Sequence, residues 1–372
     1  MASKQPSKQF KVCLVAISLG KGGKERSTAL LSRMLTKSGF NVFIVILNNK
    51  VDYSYAGNLF NLGTFKTDND TLSKRLSRFK KLKRFFKEED FDFIIDTRSR
   101  GSAIKELFYL HYLYKKQHII YLAHSFNTPQ YFTKRFWIGK KMVDKAVAIV
   151  GVSKAITRKI NEEYATNKAI TIYNPSEPFT ETEKENPFSE KYILYLGRIE
   201  EKVKNFTLLL AAYKASNLVK NGIYLKIVGD GSDTEFVKQK VKDLKLSNTV
   251  DIYPFTPEIV PYLKNALYLT LTSRYEGFPM VLIESLSLGT PVLSVACESG
   301  PDEIIIHRKN GLLVENFSEK ALAEAMNNLA FNGELYKTCK LNAKKSVSHL
   351  KMETIAAQWT NLLNSKKHKL EK

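Results

Sequence analysis

The stretch TLTSRYEGFPMVLIESLSLGTPVLSV, residues 270–295, decides the fold of this chain. Ala266–Thr272 is apolar and rich in β-forming residues, and the polar segment Ser273–Gly277 that follows it predicts a loop. Met280–Leu288 has the length and composition of a helix, and Pro291–Val295 predicts a second buried strand. A strand, a loop, a helix and a strand in this order form one unit of a parallel sheet, so the fold class is α/β.

Two residues mark the ends of the predicted helix. Pro279 suits the first helical position, where its missing N–H costs no hydrogen bond, and Gly289 suits the left-handed position after the last turn. The backbone N–H groups of Phe278, Met280 and Val281 then have no partners within the helix. Such a helix N-terminus is a site where an anion can bind.

Two carboxylates, Glu276 and Glu284, flank this helix N-terminus. Glu276 lies in the loop at the carboxyl end of a strand, which is where open α/β sheets bind ligands. Glu284 lies in the second helical turn, and its side chain leans back toward the same edge. Carboxylates beside an anion site suggest an anionic ligand with hydroxyl groups, such as a nucleotide sugar. The alternative is an ordinary charge at a helix start and a solvated helix residue.

The length and composition indicate a two-domain globular protein. The chain has 372 residues, which exceeds one ordinary core, and three cysteines that are far apart and lack any metal-binding spacing. No apolar run reaches the roughly 18 residues of a membrane-spanning helix, and the N-terminus lacks a signal-peptide pattern. We therefore expect a protein of a reducing compartment, the cytoplasm.

The net charge of +21 is spread unevenly along the chain. Residues 1–187 contain 33 Lys and Arg against 17 Asp and Glu, whereas residues 188–372 contain 25 against 20. The first half therefore carries most of the excess, and such a field attracts nucleic acid, an anionic membrane or an anionic substrate. No helix-turn-helix, zinc or RNA-recognition signature is present, so we expect no nucleic-acid partner.

The N-terminal segment predicts a βαβ unit with a glycine-rich loop. Phe10–Ile17 and Phe40–Leu47 are apolar strands, and Glu25–Ser38 is an amphipathic helix between them. The loop before this helix contains Gly22 and Gly23 but has neither the dinucleotide fingerprint nor a P-loop. These glycines would let a ligand approach the backbone closely; the alternative is a plain tight turn.

Two stretches combine basic and aromatic residues. In residues 71–87, TLSKRLSRFKKLKRFFK, apolar side chains recur at helical spacing among lysines and arginines, which is typical of a helix lying on an anionic membrane. The alternative is a helix packed on the core with a solvated charged face. Residues 133–142, TKRFWIGKKM, repeat the mixture and favour the membrane interpretation slightly.

His124 follows the strand His118–Ala123, at the edge of the sheet where a site is expected. Ser176–Pro187 is rich in Glu, Pro and Thr without periodicity, so we interpret it as the linker between domains. The predicted domains are residues 1–187 and 188–350, and residues 351–372 form a C-terminal helix that packs back toward the first domain.

In the second half, cations and glycines follow predicted strands. Lys191–Leu196 is a strand that ends at Gly197, and Arg198 comes next, while Lys204 opens the following helix. Two cations at a strand end and a helix start can clamp a diphosphate; the alternative is surface charge. The strand Leu225–Val228 ends in Gly229, Asp230 and Gly231, a turn that lets a ligand pass close to the backbone.

The ordered set of these motifs resembles the retaining family 4 glycosyltransferases of the GT-B type, which have two Rossmann-like domains facing across a cleft. The resemblance covers about Phe10 to Val314, with Glu276 and Glu284 as the family's Glu, seven residues, Glu signature. The other matching stretches are residues 22–26 (GGKER), His124, residues 173–175 (YNP), Gly197-Arg198 with Lys204, and Gly229-Asp230-Gly231.

The resemblance implies a role for each matched position. Glu276 and His124 would contact the donor sugar, with Glu276 stabilising the cationic transition state. Glu284, helped by the Gly229 and Gly231 turn, would bind the nucleoside. The donor diphosphate would be held by Arg198, Lys204, Gly22, Gly23, Gly277, Phe278, Pro279, Met280 and Val281. The charged segment Glu200–Val203 departs from the family pattern, so Lys202 is an alternative to Lys204.

The resulting expectation is a metal-independent, retaining glycosyltransferase without a cofactor. It would move a hexose or N-acetylhexosamine from a UDP-sugar to a growing, lipid-linked glycan of the cell surface, such as a capsule or lipopolysaccharide. It would work in the cytoplasm, peripherally on the inner face of the cell membrane, using basic stretches such as residues 71–87. The alternative is a non-catalytic sugar-nucleotide-binding protein on the same fold.

Overall fold

A computed structural model describes residues 10–177, 179 and 186–370 of the chain. The chain divides into two compact units: the first contains the described residues up to Pro175 together with those from Met352, and the second spans Ser176–Lys351. The predicted linker, Ser176–Pro187, lies largely outside the described residues, which omit 178 and 180–185.

The first unit is a parallel sheet flanked by helices. Its strands are β1 (Lys11–Ala16), β2 (Asn41–Ile46), β3 (Asn58–Asn61), β4 (Phe93–Asp96), β5 (Ile119–Ala123), β6 (Ala148–Gly151) and β7 (Ala169–Thr171). Its helices, in chain order, are α1 (Gly23–Lys37), α2 (Leu72–Glu89), α3 (Ala103–Phe108), α4 (Pro129–Phe132), α5 (Phe136–Lys145) and α6 (Lys154–Glu163). The strand order is β3-β2-β1-β4-β5-β6-β7, and every neighbouring pair is parallel.

The handedness of the connections assigns the helices of this unit to two faces. Parallel crossovers are right-handed, so the direction in which the chain moves along the sheet decides the face. The step from β1 to β2 runs one way, and the steps from β3 through β7 run the other way. Therefore α1 covers one face, and α2, α3, α5 and α6 cover the opposite face. The interior strands are buried on both faces and are accordingly almost wholly apolar.

The second unit repeats this architecture. Its strands are β8 (Tyr192–Leu196), β9 (Tyr224–Val228), β10 (Val250–Tyr253), β11 (Leu269–Leu271), β12 (Val292–Val295) and β13 (Gly311–Val314). Its helices are α7 (Glu201–Lys204), α8 (Phe206–Ala215), α9 (Thr234–Asp243), α10 (Val260–Asn265), α11 (Met280–Leu288), α12 (Pro301–Ile304), α13 (Glu319–Phe331) and α14 (Gly333–Ser346). The strands pair in parallel in the order β10-β9-β8-β11-β12-β13, so both units are Rossmann-like, as predicted.

The last helix, α15 (Met352–Leu370), belongs to the first unit and packs against α1. Its apolar side is buried there through Ile355, Trp359, Leu362 and Leu363. Across the described ranges, the helices are too short or too polar for any of them to span a bilayer.

Helix α11 has the predicted bounds, Met280–Leu288, and Gly289 follows it with φ 91°. Pro279 lies one position earlier than expected: it precedes the helix in an extended conformation instead of opening it. Two other expectations about helix bounds are wrong. α1 begins at Gly23, two residues before the predicted start, and Lys204 ends the short helix α7 instead of opening α8.

Candidate functional site

Three loops of the second unit meet because their strands are neighbours. β9, β8 and β11 lie side by side, and the loops that leave their carboxyl ends contain Gly229, Gly197 and Glu276 respectively. The carboxyl edge of a parallel sheet is where ligands of open α/β folds bind. The order of the strands therefore gathers residues from three separate parts of the sequence at one edge.

Glycine is required where two of these loops cross. A Cβ at Gly229 would lie 1.9 Å from the carbonyl oxygen of Gly197, and a Cβ at Gly231 would lie 1.8 Å from that of Ile199. Gly229 also has φ 154°, a backbone conformation that residues other than glycine rarely adopt. Packing between the two loops therefore explains why these positions are glycine, whether or not a ligand binds there.

Glu276 is joined directly to Lys204. The Nζ atom of Lys204 lies 2.5 Å from Oε1 of Glu276, and the Ser273 hydroxyl donates to the same oxygen at 2.6 Å. Only 19% of the Lys204 side chain and 13% of the Glu276 side chain are exposed. The Glu276 amide donates to the Glu298 carbonyl at 2.7 Å, which fixes the loop from the other side. Lys204 and Glu276, which were predicted to bind different parts of the ligand, are therefore in contact with each other.

The position of Lys204 is set by the loop after β11. The Thr272 hydroxyl donates to the Lys204 carbonyl at 2.9 Å, and the Arg274 amide donates to the Val203 carbonyl at 2.8 Å. The Arg274 guanidinium also donates to the Asn205 side chain at 2.9 Å. Arg274 and Asn205 were not predicted as site residues, although the signal was present: Arg274 stands two residues before Glu276.

Lys202 and Arg198 lie differently from Lys204. Lys202, the alternative to Lys204, is exposed on α7, whereas Lys204 contacts Glu276. Arg198 follows β8 at the same sheet edge, with 57% of its side chain exposed and its guanidinium 3.8 Å from Glu200. Its carbonyl accepts a hydrogen bond of 2.9 Å from the Tyr195 hydroxyl, whose pKa is raised by burial and by the nearby Glu276 charge.

The N-terminus of α11 is built from buried residues. Gly277, Phe278, Pro279 and Met280 are buried and Val281 is half-buried. A neighbouring loop supports them, since the Ser299 hydroxyl donates to the Gly277 carbonyl at 3.0 Å. Gly300 of that loop has φ 98°, and a Cβ there would lie 2.8 Å from Pro279 Cδ, so its backbone packs directly against the start of the helix.

Glu284 lies on α11 with only 3% of its surface exposed. The interpretation of this residue as a solvated helix charge is therefore wrong. Glu276 and Glu284 belong to consecutive elements, the loop after β11 and the helix that follows it. Burial of a carboxylate is costly unless it is hydrogen-bonded or paired with a cation. Its place on the helix that follows the Glu276 loop makes Glu284 a candidate for ligand recognition.

In the first unit, the predicted glycines have different roles. Gly22 immediately precedes α1 with φ 147°, and its amide donates to the Tyr53 hydroxyl at 3.4 Å. Gly23 is the first residue of α1, and a Cβ there would meet nothing within 4 Å. The backbone conformation thus requires a glycine at position 22, whereas packing sets no such requirement at position 23.

His124 follows β5 at the carboxyl edge of the first sheet. Its ring is half-buried, and Nε2 is buried without a hydrogen-bond partner in the part of the chain that the structure describes. Burial, together with the charges of Lys24 and Arg100, lowers the pKa of His124 to about 3. The imidazole is therefore neutral at physiological pH, and a buried nitrogen of this kind can interact with a ligand hydroxyl.

The first unit also contains a buried charged cluster that was not predicted from the sequence. Asp96, Arg98, Arg100 and Glu106 are all at least 96% buried, with an Arg98–Asp96 distance of 2.7 Å and an Arg98–Glu106 distance of 3.1 Å. Burial opposes ionisation of Asp96, but the two arginines hold its pKa below the ordinary value. Burial raises the pKa of Glu106. In the sequence these residues look like surface charges after a strand, so composition alone could not reveal the cluster.

Arg100 connects this cluster to the segment after His124. Its Nε donates to the Tyr131 carbonyl at 2.8 Å, and its Nη1 donates to the Asp96 carbonyl at 2.8 Å. The charged cluster thus ties the end of β4 to α4 and holds the carboxyl edge of the sheet in place around His124.

Each unit has its own functional geometry. The second unit combines two cations, two carboxylates and a helix N-terminus, which together suit an anionic ligand with hydroxyl groups. The first unit presents a neutral imidazole. No group of three or more His, Cys, Asp or Glu side chains is arranged to hold a metal ion within residues 10–177 and 186–370.

Comparison with known proteins agrees with this geometry. A model of Glycosyltransferase Family 4 matches residues 21–177, and a model of Glycosyl transferases group 1 matches residues 178–346. The fold and the two matches define a glycosyltransferase of the GT-B class. Within that class the chain belongs to the family 4 type, because the two matches follow one another along the chain and together span residues 21–346.

Two similar sequences extend over nearly the whole chain. An uncharacterized glycosyltransferase of Haemophilus influenzae is 26% identical over 92% of this chain and 96% of its own length. An N-acetylgalactosamine-N,N'-diacetylbacillosaminyl-diphospho-undecaprenol 4-alpha-N-acetylgalactosaminyltransferase of Campylobacter jejuni is 26% identical over 90% of this chain and 94% of its own.

A solved structure shows the same fold. A mutant of S. aureus TarM, in complex with Fondaparinux, alpha-GlcNAc-glycerol and UDP, superimposes with a TM-score of 0.78. The two chains share 14% sequence identity, and the superposition covers 96% of this chain and 100% of TarM.

Proposed function

We propose that this protein is a retaining, metal-independent glycosyltransferase that moves a hexose or N-acetylhexosamine from a UDP-sugar to a growing, lipid-linked glycan of the cell surface. The observation that supports it most strongly is the contact between Lys204 and Glu276 beside the N-terminus of α11. The cation would stabilise the leaving diphosphate and the carboxylate would stabilise the developing sugar cation, so the two side chains would act on the two sides of the bond that breaks.

The proposed diphosphate site consists of Arg198, Lys204 and the backbone N–H groups from Gly277 to Val281. As the bond to the sugar breaks, the nucleoside diphosphate gains negative charge, and fixed cations and helix N–H groups stabilise that charge. Removal of one such donor reduces turnover by on the order of 100-fold to 1000-fold in other enzymes. In this proposal the two side-chain cations supply the charge that a metal ion supplies in metal-dependent transferases.

Glu276 and Glu284 divide the rest of the donor between them. Glu276 would stabilise the oxocarbenium-like sugar, as carboxylates do in glycoside hydrolysis. Glu284, buried on α11, would accept hydrogen bonds from the ribose hydroxyls. When the diphosphate binds, Lys204 would turn part of its hydrogen bonding from Glu276 to the phosphate, which leaves the carboxylate free to face the sugar.

His124 would contribute from the first unit as a neutral group. Because its pKa is lowered to about 3, the imidazole carries no charge that would repel a sugar cation at physiological pH. Its role would be to accept or donate one hydrogen bond to a hydroxyl of the donor sugar. A neutral residue of this kind orients the substrate without opposing the positive charge of the transition state.

The acceptor proposal is supported by the C. jejuni relative, whose name describes transfer onto a diphospho-undecaprenol-linked sugar. The donor proposal is supported by the TarM structure, which is a complex with UDP. A lipid-linked acceptor implies an enzyme that is peripheral on the inner face of the membrane, on the cytoplasmic side, where nucleotide sugars are made.

The test is a transfer assay with matched variants. UDP-sugars and GDP-mannose are first screened for thermal stabilisation of the purified protein, and the donor that binds is then offered with lipid-linked acceptors. Glu276→Ala and Lys204→Ala should lower transfer by at least about 100-fold. Lys202→Ala, an exposed lysine on the same short helix, is the control and should remain active.

Four further outcomes decide the finer points. The anomeric configuration of the product, measured by NMR, separates retention from inversion, and full activity in excess EDTA separates a metal-independent enzyme from a metal-dependent one. Binding of a sugar nucleotide without transfer to any acceptor would instead support a non-catalytic binding protein. Wild-type activity in the Glu276→Ala variant would contradict the proposed site.

A further inference from the structure

The short helix α7 carries Lys204, and side chains from two other loops hold its two ends. Its first residue is Glu201, whose amide has no acceptor within the helix and donates instead to Oδ2 of Asp233 at 2.7 Å. Directly after its last residue, Oδ1 of Asn205 accepts a hydrogen bond of 2.9 Å from Nη2 of Arg274. A helix of four residues has little stability of its own, so such contacts decide where its residues lie.

Asp233 belongs to the loop after β9, the loop that was predicted to approach the nucleoside through Gly229 and Gly231. This loop continues the pairing of β8 and β9 beyond the ends of the strands. The Ile199 amide donates to the Asp230 carbonyl at 2.9 Å, and the Asp233 amide donates to the Ile199 carbonyl at 3.3 Å. Within the described residues, the Asp233 carboxylate makes no capping hydrogen bond to α9, the helix that it precedes, so it serves α7 instead.

Arg274 approaches α7 from the opposite side. Because β8 lies between β9 and β11, the loops after β9 and β11 flank the segment that leaves β8. Nη2 of Arg274 lies 3.6 Å from Oε1 of Glu201 and 2.9 Å from Oδ1 of Asn205, so one guanidinium contacts both ends of α7. The Glu201 carboxylate, whose side chain is 19% exposed, balances the charge of the guanidinium. Arg274 is therefore suited to hold α7 in place.

Asn205 connects these contacts to the core of the second unit. Its backbone is left-handed, with φ 55°, which asparagine tolerates better than most residues, and it ends α7 for that reason. It is 3% exposed, and its side chain also accepts from the Leu208 amide at 3.4 Å as the N-cap of α8. The residue that follows Lys204 is thus fixed both to Arg274 and to a buried helix.

We propose that Asp233 and Arg274 are positioning residues for Lys204, and that Asp233 couples the loop beside the nucleoside to the cation beside the diphosphate. The inference rests on the proposed function, in which Lys204 contacts the donor diphosphate. Each residue acts through the backbone of α7, which aims the ammonium group of Lys204 at Glu276 in the free protein and at the diphosphate in the complex. A misplacement of about 1 Å in such a group can cost on the order of 100-fold in rate.

The first test needs no ligand. The coupling between Lys204 and Glu276 is measured by urea unfolding as a double-mutant cycle of Lys204→Met and Glu276→Gln, once in the wild-type protein and once in Asp233→Ala. The coupling should fall by at least about half in Asp233→Ala, because the lysine loses its fixed position. Asp233→Asn should retain the coupling, since its side-chain oxygen still accepts from the Glu201 amide.

The matched control is Glu235→Ala, which removes a carboxylate two residues further along the chain. The Glu235 side chain is 84% exposed and pairs with Lys238 at 2.7 Å, away from α7, so its loss should leave the coupling unchanged. Two outcomes would overturn the positioning role: no coupling between Lys204 and Glu276 in the wild-type protein, or the same coupling in Asp233→Ala as in the wild type.

The second test uses UDP as the probe and measures its affinity by calorimetry. Asp233→Ala and Arg274→Ala should each bind UDP about tenfold more weakly, as expected when a hydrogen bond to a charged group is lost, whereas Asp233→Asn and Glu235→Ala should bind as wild type. In the Lys204→Met background, Asp233→Ala should cause no further loss, because Asp233 acts through the lysine. An equal loss in both backgrounds would mean that Asp233 acts on UDP directly, and this would contradict the proposal.

Together the two tests separate this inference from the proposed function. Loss of the coupling in Asp233→Ala, combined with no binding of UDP to the wild-type protein, would leave the positioning of Lys204 intact and contradict the proposed function. Binding of UDP with the same affinity to the wild type, Asp233→Ala and Arg274→Ala would leave the function intact and contradict the positioning role. Far-UV circular dichroism of each variant confirms that it is folded before either measurement.

Discussion

Replacing Lys204 by methionine removes the cation that contacts Glu276 while keeping a side chain of similar length. The Nζ–Oε1 distance is 2.5 Å, and 19% and 13% of the two side chains are exposed, so the pair is partly protected from water. A hydrogen bond to a charged group contributes about 1.5–3 kcal/mol.

The carboxylate would not be left without a partner, because the Ser273 hydroxyl still donates to it at 2.6 Å. We therefore expect Lys204→Met to lower the free energy of unfolding by about 2 kcal/mol, toward the lower part of that range. For a unit of this size the melting temperature should fall by about 4–8 °C. Lys202→Met, at an exposed position of the same helix, should change stability by less than about 0.5 kcal/mol.

The assay is urea unfolding followed by far-UV circular dichroism, applied to a double-mutant cycle. Glu276→Gln should lose a similar amount, and the double variant should lose little more than either single one, giving a coupling energy of about 1.5 kcal/mol. Additive losses would refute the reasoning, because they would mean that the two side chains do not stabilise each other in the protein. The same variants, tested for stabilisation by UDP-sugar, then report on the proposed diphosphate site separately from stability.

Three other predictions concern single positions. Gly229→Ala should destabilise the protein by about 3 kcal/mol or more in urea unfolding, since its Cβ would lie 1.9 Å from the Gly197 carbonyl oxygen; the control Gly23→Ala, with open space around the Cβ, should be neutral or stabilise by up to about 1 kcal/mol. The pKa of His124 is lowered to about 3, so the unfolded state binds its proton first, and stability should fall by about 1.4 kcal/mol per pH unit as pH drops from about 6.5 toward 3. In His124→Asn the pH dependence of unfolding should be shallower in that window, and an unchanged slope would contradict the assignment. Trp359→Ala, which removes a side chain that is 3% exposed, should cost about 3–5 kcal/mol, measured by urea unfolding.

Local chemistry made some elements predictable. The bounds of α11 follow from Pro279 and Gly289, because each residue has a backbone preference that belongs to one end of a helix. The apolar strands of both sheets were predicted for the same reason, since a strand buried on both faces is a short, nearly continuous apolar run. These signals lie within a few residues of the feature that they predict.

Elements without such local signals were missed. β3 is a four-residue strand, Asn58–Asn61, at the edge of its sheet, where half-exposed residues show no apolar run. α7 is one turn of charged residues, Glu201–Lys204, that depends on contacts with the loop after β11. Sequence patterns describe a residue's own neighbourhood, and these elements are stabilised by residues far away in the chain.

The candidate site also combines features that the sequence predicts with features that depend on distant residues. The residue types and their order were predictable, because cations and carboxylates at strand ends are visible in the sequence. The contact between Lys204 and Glu276 joins residues 72 positions apart, so it depends on β8 and β11 being neighbours. The buried partners of Arg98 and Arg100 were hidden for a similar reason: charge in a sequence gives no sign of whether the fold encloses it.

The return of α15 to the first unit has a consequence for synthesis. The first unit begins to leave the ribosome before the second, but α15, the helix that packs on α1, is translated only after the second unit. The second unit is continuous, so it has all of its residues before the first unit is complete. A released chain that stops at residue 351 should therefore resist protease in the second unit while the earlier-made region stays sensitive, so the loss of α15 would damage the portion made first.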